Sequence, residues 1–295
     1  FMFILLHNKQ MKNILSLIII FFGLSVNSNS NELTNNLKSS LDQLLNETLS
    51  EMFPMAEFGL STGNTNEVTG SILVINPLSD INNKNTSTFF QGSLFLSDDS
   101  RETINLGLAT RKLVSENTML LGANVFYDHE LDYDHQRASI GLEAITSVGS
   151  ITYNEYWGLS GKKTGVGNFK EEAVDRRDLS VGIPLPYLPT TSLNVRSFKW
   201  NGVDGASDLE GNDFSLRARI SRFNVEMGHR DFDGVTEDED FVKITYICCN
   251  NEYEKFEISD KAFSGVSVEN KRFAKVEREN LIVKQKEMDL TVIGF

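Results

Sequence analysis

The stretch 126–137, FYDHELDYDHQR, gathers side chains that could bind a metal ion within twelve residues. Its candidate ligands are Asp128, His129, Asp132, Asp134 and His135. Carboxylate oxygens and imidazole nitrogens bind Ca²⁺ and transition metals in proteins. The stretch nevertheless lacks the glycine of a calcium-binding hand and the His-x3-His spacing of a helical zinc site. We therefore predict a solvated hairpin tip between two strands and no metal site.

Histidine is too sparse in the rest of the chain to support hydrolytic chemistry. The chain has four histidines. Barrel lipases and proteases of the outer membrane rely on a Ser–His or Asp–His pair. His229 lies in a strand-like segment, on the face of Val225 and Met227. We predict that the chain is not an enzyme and that it has no catalytic residue and no cofactor.

The amino-terminal sequence predicts that the protein is exported from the cytoplasm. Residues 1–30 contain a positive start at Lys12, an apolar run over 14–24 and a small polar end, which together are typical of a secretory signal peptide. Leucines at three- and four-residue steps over 34–53 predict an amphipathic helix, here a periplasmic helical region of residues 31–54. No later segment has 18 consecutive apolar residues, so no membrane-spanning helix is expected.

The net charge argues against one class of partner, and the cysteine content limits how the fold can be stabilised. The formal net charge is −13, and Lys and Arg do not cluster, which argues against a nucleic-acid partner. Cys248 and Cys249 are the two cysteines of the chain. Because neighbouring cysteines close a strained ring, we expect no ordinary disulfide. An exported chain without one can be stabilised by closure of a barrel in a membrane.

From residue 56 onward the apolar pattern changes to a period of two. Most of the strand-like segments are 8–11 residues long, which is what a tilted strand needs to cross a bilayer. Twelve such segments begin at residues 56, 68, 88, 102, 119, 136, 149, 178, 192, 213, 222 and 240.

The two faces of these segments differ sharply in polarity. Leu121 and Val125 alternate with Asn124 and Asp128. A soluble sandwich would bury the apolar face, whereas a membrane barrel turns it to lipid and its polar face to the lumen. The export signal, the even strand number and mid-strand charges favour the barrel, because a dry sandwich core would not accept unpaired charges. These mid-strand charges are Arg217, Arg219, Glu143 and Glu226.

The joins between strands follow a second pattern. One set contains long polar loops such as 161–178 and 201–213, and the other contains short turns such as 147–149. Long outer loops and short periplasmic turns are typical of bacterial outer-membrane barrels. The join 77–87 is long for a periplasmic turn, and the pattern gives no reason for its length.

The central hairpin, 121–144, resembles that of the intimin/invasin family, the barrel of inverse autotransporters. The shared hairpin positions are Leu121, Gly122, Asn124, Phe126, Tyr127, Asp128, His135, Gln136, Arg137, Gly141 and Glu143. Upstream, Leu106, Gly107 and Arg111 match, whereas Ala109 stands where the family usually has glycine. The tail resembles the linker that follows the family's barrel, at Arg272, Phe273, Val276, Arg278, Asn280, Ile282, Lys286 and Leu290.

The resemblance implies an all-β fold: a transmembrane antiparallel barrel of about twelve strands with a short N-terminal helix. The barrel would occupy residues 55–250, and residues 251–295 would form a linker through the lumen to the cell surface. The implied function is that of an outer-membrane translocator and anchor in type V secretion. It would export and display a C-terminal adhesin passenger, which we expect to be absent from this chain because the chain stops at Phe295.

Two alternatives stay open on the sequence alone. A free-standing outer-membrane channel or structural barrel would explain the strands equally well. The mid-strand charges would then line a pore, whereas in a translocator they would pair with one another or grip the linker. Expected partners are the lipid bilayer, the outer-membrane insertion machinery, periplasmic chaperones and a contact with peptidoglycan or another periplasmic component. The expected location is the bacterial outer membrane.

Overall fold

The computed structural model describes residues 55–63, 68–97, 101–234, 237–248, 258–263 and 267–286. The predicted signal peptide (1–30) and amphipathic helix (31–54) lie outside the described residues. The described residues all belong to one compact unit that spans residues 53–295. Within them, no helix is both long and apolar enough to cross a membrane. Their only helices are two 3-10 turns, Val166–Asn168 and Glu269–Lys271.

Strands account for nearly all of the regular structure. In chain order they are β1 (Met55–Gly63), β2 (Val68–Pro77), β3 (Thr86–Leu96), β4 (Glu102–Val114), β5 (Met119–Glu130), β6 (His135–Thr146), β7 (Gly149–Gly158), β8 (Lys163–Thr164), β9 (Lys170–Ala173), β10 (Arg176–Leu185), β11 (Leu188–Trp200), β12 (Leu209–Ile220), β13 (Phe223–Phe232), β14 (Glu239–Cys248) and β15 (Lys284–Lys286).

Twelve of these strands close into an antiparallel barrel, which confirms the predicted fold class. Each barrel strand pairs with the next one along the chain, and β14 pairs back onto β1. The short strands β8, β9 and β15 form a separate three-stranded sheet. The described part of the tail, residues 258–263 and 267–286, therefore adds no thirteenth strand to the barrel.

The alternation predicted from the sequence corresponds to the two faces of the barrel wall. Leu142 on β6 points outward and is 60% exposed, whereas the inward-facing Asn105 on β4 is 0% exposed. The same contrast separates outward Leu121 and Val125 from inward Asp128 on β5. Apolar side chains thus cover the outside and polar side chains fill the inside, which is the arrangement a lipid-embedded barrel requires.

The two ends of the barrel differ in the length of their connections. At one end β6 and β7 are joined by residues 147–148, and β10 and β11 by residues 186–187. At the other end, residues 159–175 connect β7 to β10 and carry β8 and β9. β1 begins and β14 ends at the short-turn end, which in outer-membrane barrels faces the periplasm.

Cys248 corrects one expectation. It is the last residue of β14 and is fully buried. It is disulfide-bonded, whereas the sequence led us to expect no ordinary disulfide. The expectation considered only ring strain, which makes a bond between neighbouring cysteines rare but does not forbid it. Cys249 lies outside the described residues.

Candidate functional site

Residues 267–286, here called the linker segment, lie inside the barrel. Val276 and Ile282 are 2% and 3% exposed, although neither belongs to the barrel wall. Side chains and backbone groups along the segment bond to inward-facing side chains of the wall, which we call the linker seat. The predicted position of the linker in the lumen is confirmed for the described residues 267–286.

A buried cluster of one carboxylate and two guanidinium groups holds the middle of the linker segment. Arg278 donates to both carboxylate oxygens of Asp128, with Nη1···Oδ1 at 2.9 Å and Nη2···Oδ2 at 2.7 Å. Arg137 donates to the same carboxylate at 2.8 Å, and Asn105 at 2.7 Å. The guanidinium of Arg278 also lies 4.2 Å from the ring centre of Phe126. Charge-assisted bonds of this kind are stronger than neutral ones.

The seat also holds the linker backbone, through wall side chains that take the place of a neighbouring strand. Arg111 donates to the carbonyls of Lys271 at 3.0 Å and Lys275 at 3.3 Å. Glu143 fixes that guanidinium through bonds of 2.6 and 3.0 Å. An extended chain inside a barrel has no ladder partner, so these bonds satisfy groups whose burial would otherwise be costly.

The same kind of bond continues along the segment toward the long loops. Arg137 donates to the carbonyl of Glu279 at 2.8 Å and to that of Leu281 at 2.9 Å. Tyr156 accepts from the backbone N–H of Glu279 at 2.8 Å. Three further wall-to-backbone bonds are Gln91 with the N–H of Val276, Asn154 with the carbonyl of Glu277 and Asn105 with the carbonyl of Asn280.

Successive charged side chains of the linker segment point to opposite walls. Glu277 bonds to Arg217 on β12 at 2.8 and 3.3 Å, whereas Arg278 bonds to Asp128 on β5. Glu279 lies 3.2 Å from Arg176 on β10. Because the charge alternates along the segment and across the lumen, a shift by one residue would place like charges together.

An apolar contact lies between these polar layers. Val276 packs into a cluster formed by β2, β3, β4 and β5, which includes Ile75, Phe89 and Phe126. Phe273 adds an edge-to-face contact with Phe89, with ring centres 6.0 Å apart.

The long periplasmic join, for which the sequence offered no reason, holds the start of the linker segment. Arg272 donates to the carbonyls of Ile81 and Asn83, both at 3.1 Å. Lys84 of the same join forms an ion pair of 2.8 Å with Glu269. Residues 78–85 therefore reach the lumen mouth, and their length is explained by this contact.

The far end of the linker segment is held at the long-loop end. There β15 pairs with β9, so the loop between β7 and β10 adds a strand to the linker. Lys284 pairs with Glu130, which also binds Arg101 at 2.9 Å. The segment therefore crosses the barrel from the short-turn end to the long-loop end.

The stretch 126–137 only partly meets its prediction as a solvated tip. β5 extends through Glu130, and the turn consists of residues 131–134. Asp128 and Glu130 are 0% and 1% exposed, so the expectation that they meet water is wrong. They face the lumen, where the linker segment and its arginine partners cover them. His135 is fully buried as well.

The turn itself is exposed and polar. Asp134 accepts a bond from Lys163 at 2.8 Å and one from Gln136 at 2.9 Å, and it lies 2.9 Å from a ring nitrogen of His129. The bond from Lys163, with help from Gln136 and His129, holds the pKa of Asp134 well below its usual range. In the part of the chain that the structure describes, no group of three or more His, Cys, Asp or Glu residues could hold a metal ion.

The sequence left open whether the mid-strand charges pair with one another, grip the linker or line a pore, and the structure gives them different roles. Glu143 and Arg217 serve the linker seat, and Glu226 supports Arg217 at 3.1 Å. Arg219 instead donates to the carbonyl of Ser221 at 2.8 Å, in the turn between β12 and β13. Sequence reasoning missed several seat residues, whose common signal is an inward position in the alternation. They are Glu57, Gln91, Asn154, Tyr156, Arg176 and Arg196.

Comparison with known families agrees with this geometry. The family model described as inverse autotransporter, beta-domain matches residues 22–280. The chain belongs to this family. The β-domain is thus a translocator barrel of the bacterial outer membrane. The family is not a known enzyme class.

Relatives and a solved structure resemble parts of this β-domain. It is 25% identical over 134 residues to the invasin of Yersinia enterocolitica, covering 43% of this chain and 16% of that protein. It is 27% identical over 116 residues to an attaching and effacing protein homolog of Escherichia coli (strain K12), covering 39% of each. The chain therefore spans less than half the length of either relative.

The structural comparison concerns the fold alone. A chain from a study of the in-meso crystallization of membrane proteins superposes with a TM-score of 0.67 at 20% identity. The match covers 79% of this chain and 99% of that one.

Two glycines of the β-domain make room for the linker seat. A Cβ atom at Gly122 would lie 2.3 Å from a carboxylate oxygen of Glu143. One at Gly107 would lie 2.2 Å from the ring of Phe126. Both distances are far below van der Waals contact, so a side chain here would displace Glu143 from Arg111, or Phe126 from Arg278.

Proposed function

We propose that the β-domain exports a passenger that follows the linker segment and anchors it at the cell surface. The single observation that supports this function is the path of the linker segment. It enters beside the short-turn join 78–85, crosses the lumen and leaves beside β9 at the long-loop end. A segment that follows residue 286 would thus begin outside the cell if the long loops face outward, as they do in such barrels.

The contacts of the seat suit an anchor. They are distributed over the length of the segment and combine backbone bonds with buried ion pairs. The stability of the seated segment therefore does not depend on one contact alone. Four wall side chains bind backbone atoms of the linker segment, so these bonds do not depend on the side chains of the segment or on the passenger that follows it. They are Arg111, Arg137, Asn154 and Tyr156. The outer-membrane insertion machinery, periplasmic chaperones and peptidoglycan remain proposed partners, by resemblance.

Surface display tests this function directly. A small, fast-folding reporter domain with an epitope would be fused after the last residue of the chain and expressed in a Gram-negative host. We expect antibody binding and protease removal of the epitope on intact cells, with the barrel still folded in the outer membrane.

The matched control is the same fusion carrying Arg278→Glu, which places a second carboxylate beside Asp128 in the seat. We expect this control to fold its barrel and to display much less epitope. The proposal fails if both fusions insert as folded barrels and neither epitope reaches the surface.

A further inference from the structure

The backbone of the linker segment lies toward one side of the lumen, and Glu277 and Glu279 reach across it to Arg217 and Arg176. Its seat lies mainly on β3 to β7, and a cavity of about 750 Å³ remains along the opposite side, between the segment and the wall of β10 to β14. Its lining reaches Thr62 and Glu239 at the long-loop end, and Ser147 and Pro189 at the short-turn end. Residues at both ends of the barrel therefore line the cavity beside a seated linker.

The lining is polar and carries an excess of positive charge. Among the described residues, nine Lys and Arg side chains and six Asp and Glu side chains line it. This is opposite in sign to the whole chain, whose formal net charge is −13. Each of the six carboxylates forms an ion pair with an arginine.

Three of the lining cations have no carboxylate partner among the described residues. Lys243 on β14 lines the cavity across from Glu226 on β13, but it forms no side-chain hydrogen bond or ion pair with a described residue. Arg219 bonds only to a backbone carbonyl, that of Ser221. Lys261 lies exposed at the short-turn mouth. Charged side chains that line a pore set its ion preference, and here the unpaired charge is positive.

We propose that the β-domain, with its linker seated, conducts small inorganic anions through this passage. If the volume is spread over a bilayer core about 30 Å thick, the mean cross-section is about 25 Å². That mean area is large enough for a small ion such as chloride. The passage is independent of passenger export, so either proposal can fail without the other.

Planar bilayers with the purified full-length chain test the proposal. Reversal potentials in a potassium chloride gradient give the ratio of chloride to potassium permeability. We expect a small, steady conductance with a ratio of at least about three, set by the cationic lining. Lys243→Gln should lower that ratio at least about twofold, and Lys243→Gln with Lys261→Gln should lower it further.

Lys112→Gln is the matched control, because Lys112 on β4 is exposed on the outer face and does not line the cavity. It removes the same charge and should leave the ratio unchanged. The proposal is overturned by a conductance no larger than that of the empty bilayer, by preference for potassium, or by equal effects of Lys243→Gln and Lys112→Gln.

The effect of polyethylene glycols on the single-channel conductance distinguishes this passage from the lumen of a barrel that has lost its linker. Polymers too large for the narrow passage should leave the single-channel conductance unchanged when added to both sides. If they lower the conductance as they do in wide pores, the current flows through an emptied lumen and the assignment is wrong.

Discussion

Replacing Arg278 by glutamine should weaken the hold of the seat on the linker segment and raise the fraction of molecules in which the segment is unseated. The side chains of Arg278 and Asp128 are both 0% exposed and are joined by two charge-assisted bonds of 2.7 and 2.9 Å. Removing one partner of a buried pair costs about 3–5 kcal/mol, because the other charge stays buried. Arg137 and Asn105 still bond to Asp128 in this variant, so the lower end, about 3 kcal/mol, applies.

At about 1.4 kcal/mol per tenfold change, a loss of 3 kcal/mol raises the unseated fraction roughly hundredfold. Native-state proteolysis reports that fraction when opening and closing are faster than cleavage. A lysine-specific protease is suitable, because three of the four lysines of the segment, Lys271, Lys275 and Lys284, precede its exposed last residue and Arg278→Gln leaves these sites unchanged. Mass spectrometry would follow cleavage at the three lysines over time.

Arg219→Gln is the matched control, since Arg219 also faces inward but bonds to the turn rather than to the linker. We expect its cleavage rate to stay within about threefold of wild type, as for changes away from special contacts. A rise of less than threefold for Arg278→Gln, in a barrel that is still folded, would refute the reasoning that the buried pair holds the segment.

Three further predictions concern the wall and its turns. Gly107→Ala forces a Cβ atom to within 2.2 Å of a buried phenylalanine ring and should cost about 1–3 kcal/mol in urea unfolding, whereas Gly161→Ala, with no atom within 4 Å, should be neutral. Leu142→Arg puts a charge on the lipid face and should cost about 2–4 kcal/mol in vesicles, and an unchanged midpoint would contradict the assignment of this face. Lys163→Met should raise the pKa of Asp134 toward its ordinary value near about 4 in an NMR titration, and no shift would argue against that bond.

The wall of the barrel could be predicted from the sequence because its determinants are local. The alternation of Leu121 and Val125 with Asn124 and Asp128 defines a face without reference to any distant residue. The same pattern marks Tyr156 as inward-facing. Counting the segments with this period predicts twelve strands.

The linker seat could not be predicted in the same way. From the sequence alone, an inward charge such as Arg217 has several candidate partners. Its partner in the structure, Glu277, lies 60 residues further along the chain and reaches Arg217 only because the linker segment passes through the closed barrel. The burial of Asp128 follows from the same long-range event, since a strand end next to a polar turn resembles a solvated tip. The length of the join 78–85 likewise makes sense only with Arg272 in place.

The direction of the linker segment through the lumen is the central claim, and site-specific labelling of intact cells tests it most directly. Single cysteines would replace Asn270 and Lys286, which are exposed at opposite ends of the segment, in a chain whose two native cysteines are changed to alanine. A membrane-impermeant maleimide should label the site at 286 on intact cells and the site at 270 only after the outer membrane is permeabilised. Labelling of the site at 270 but not of the site at 286 on intact cells would contradict the proposed path.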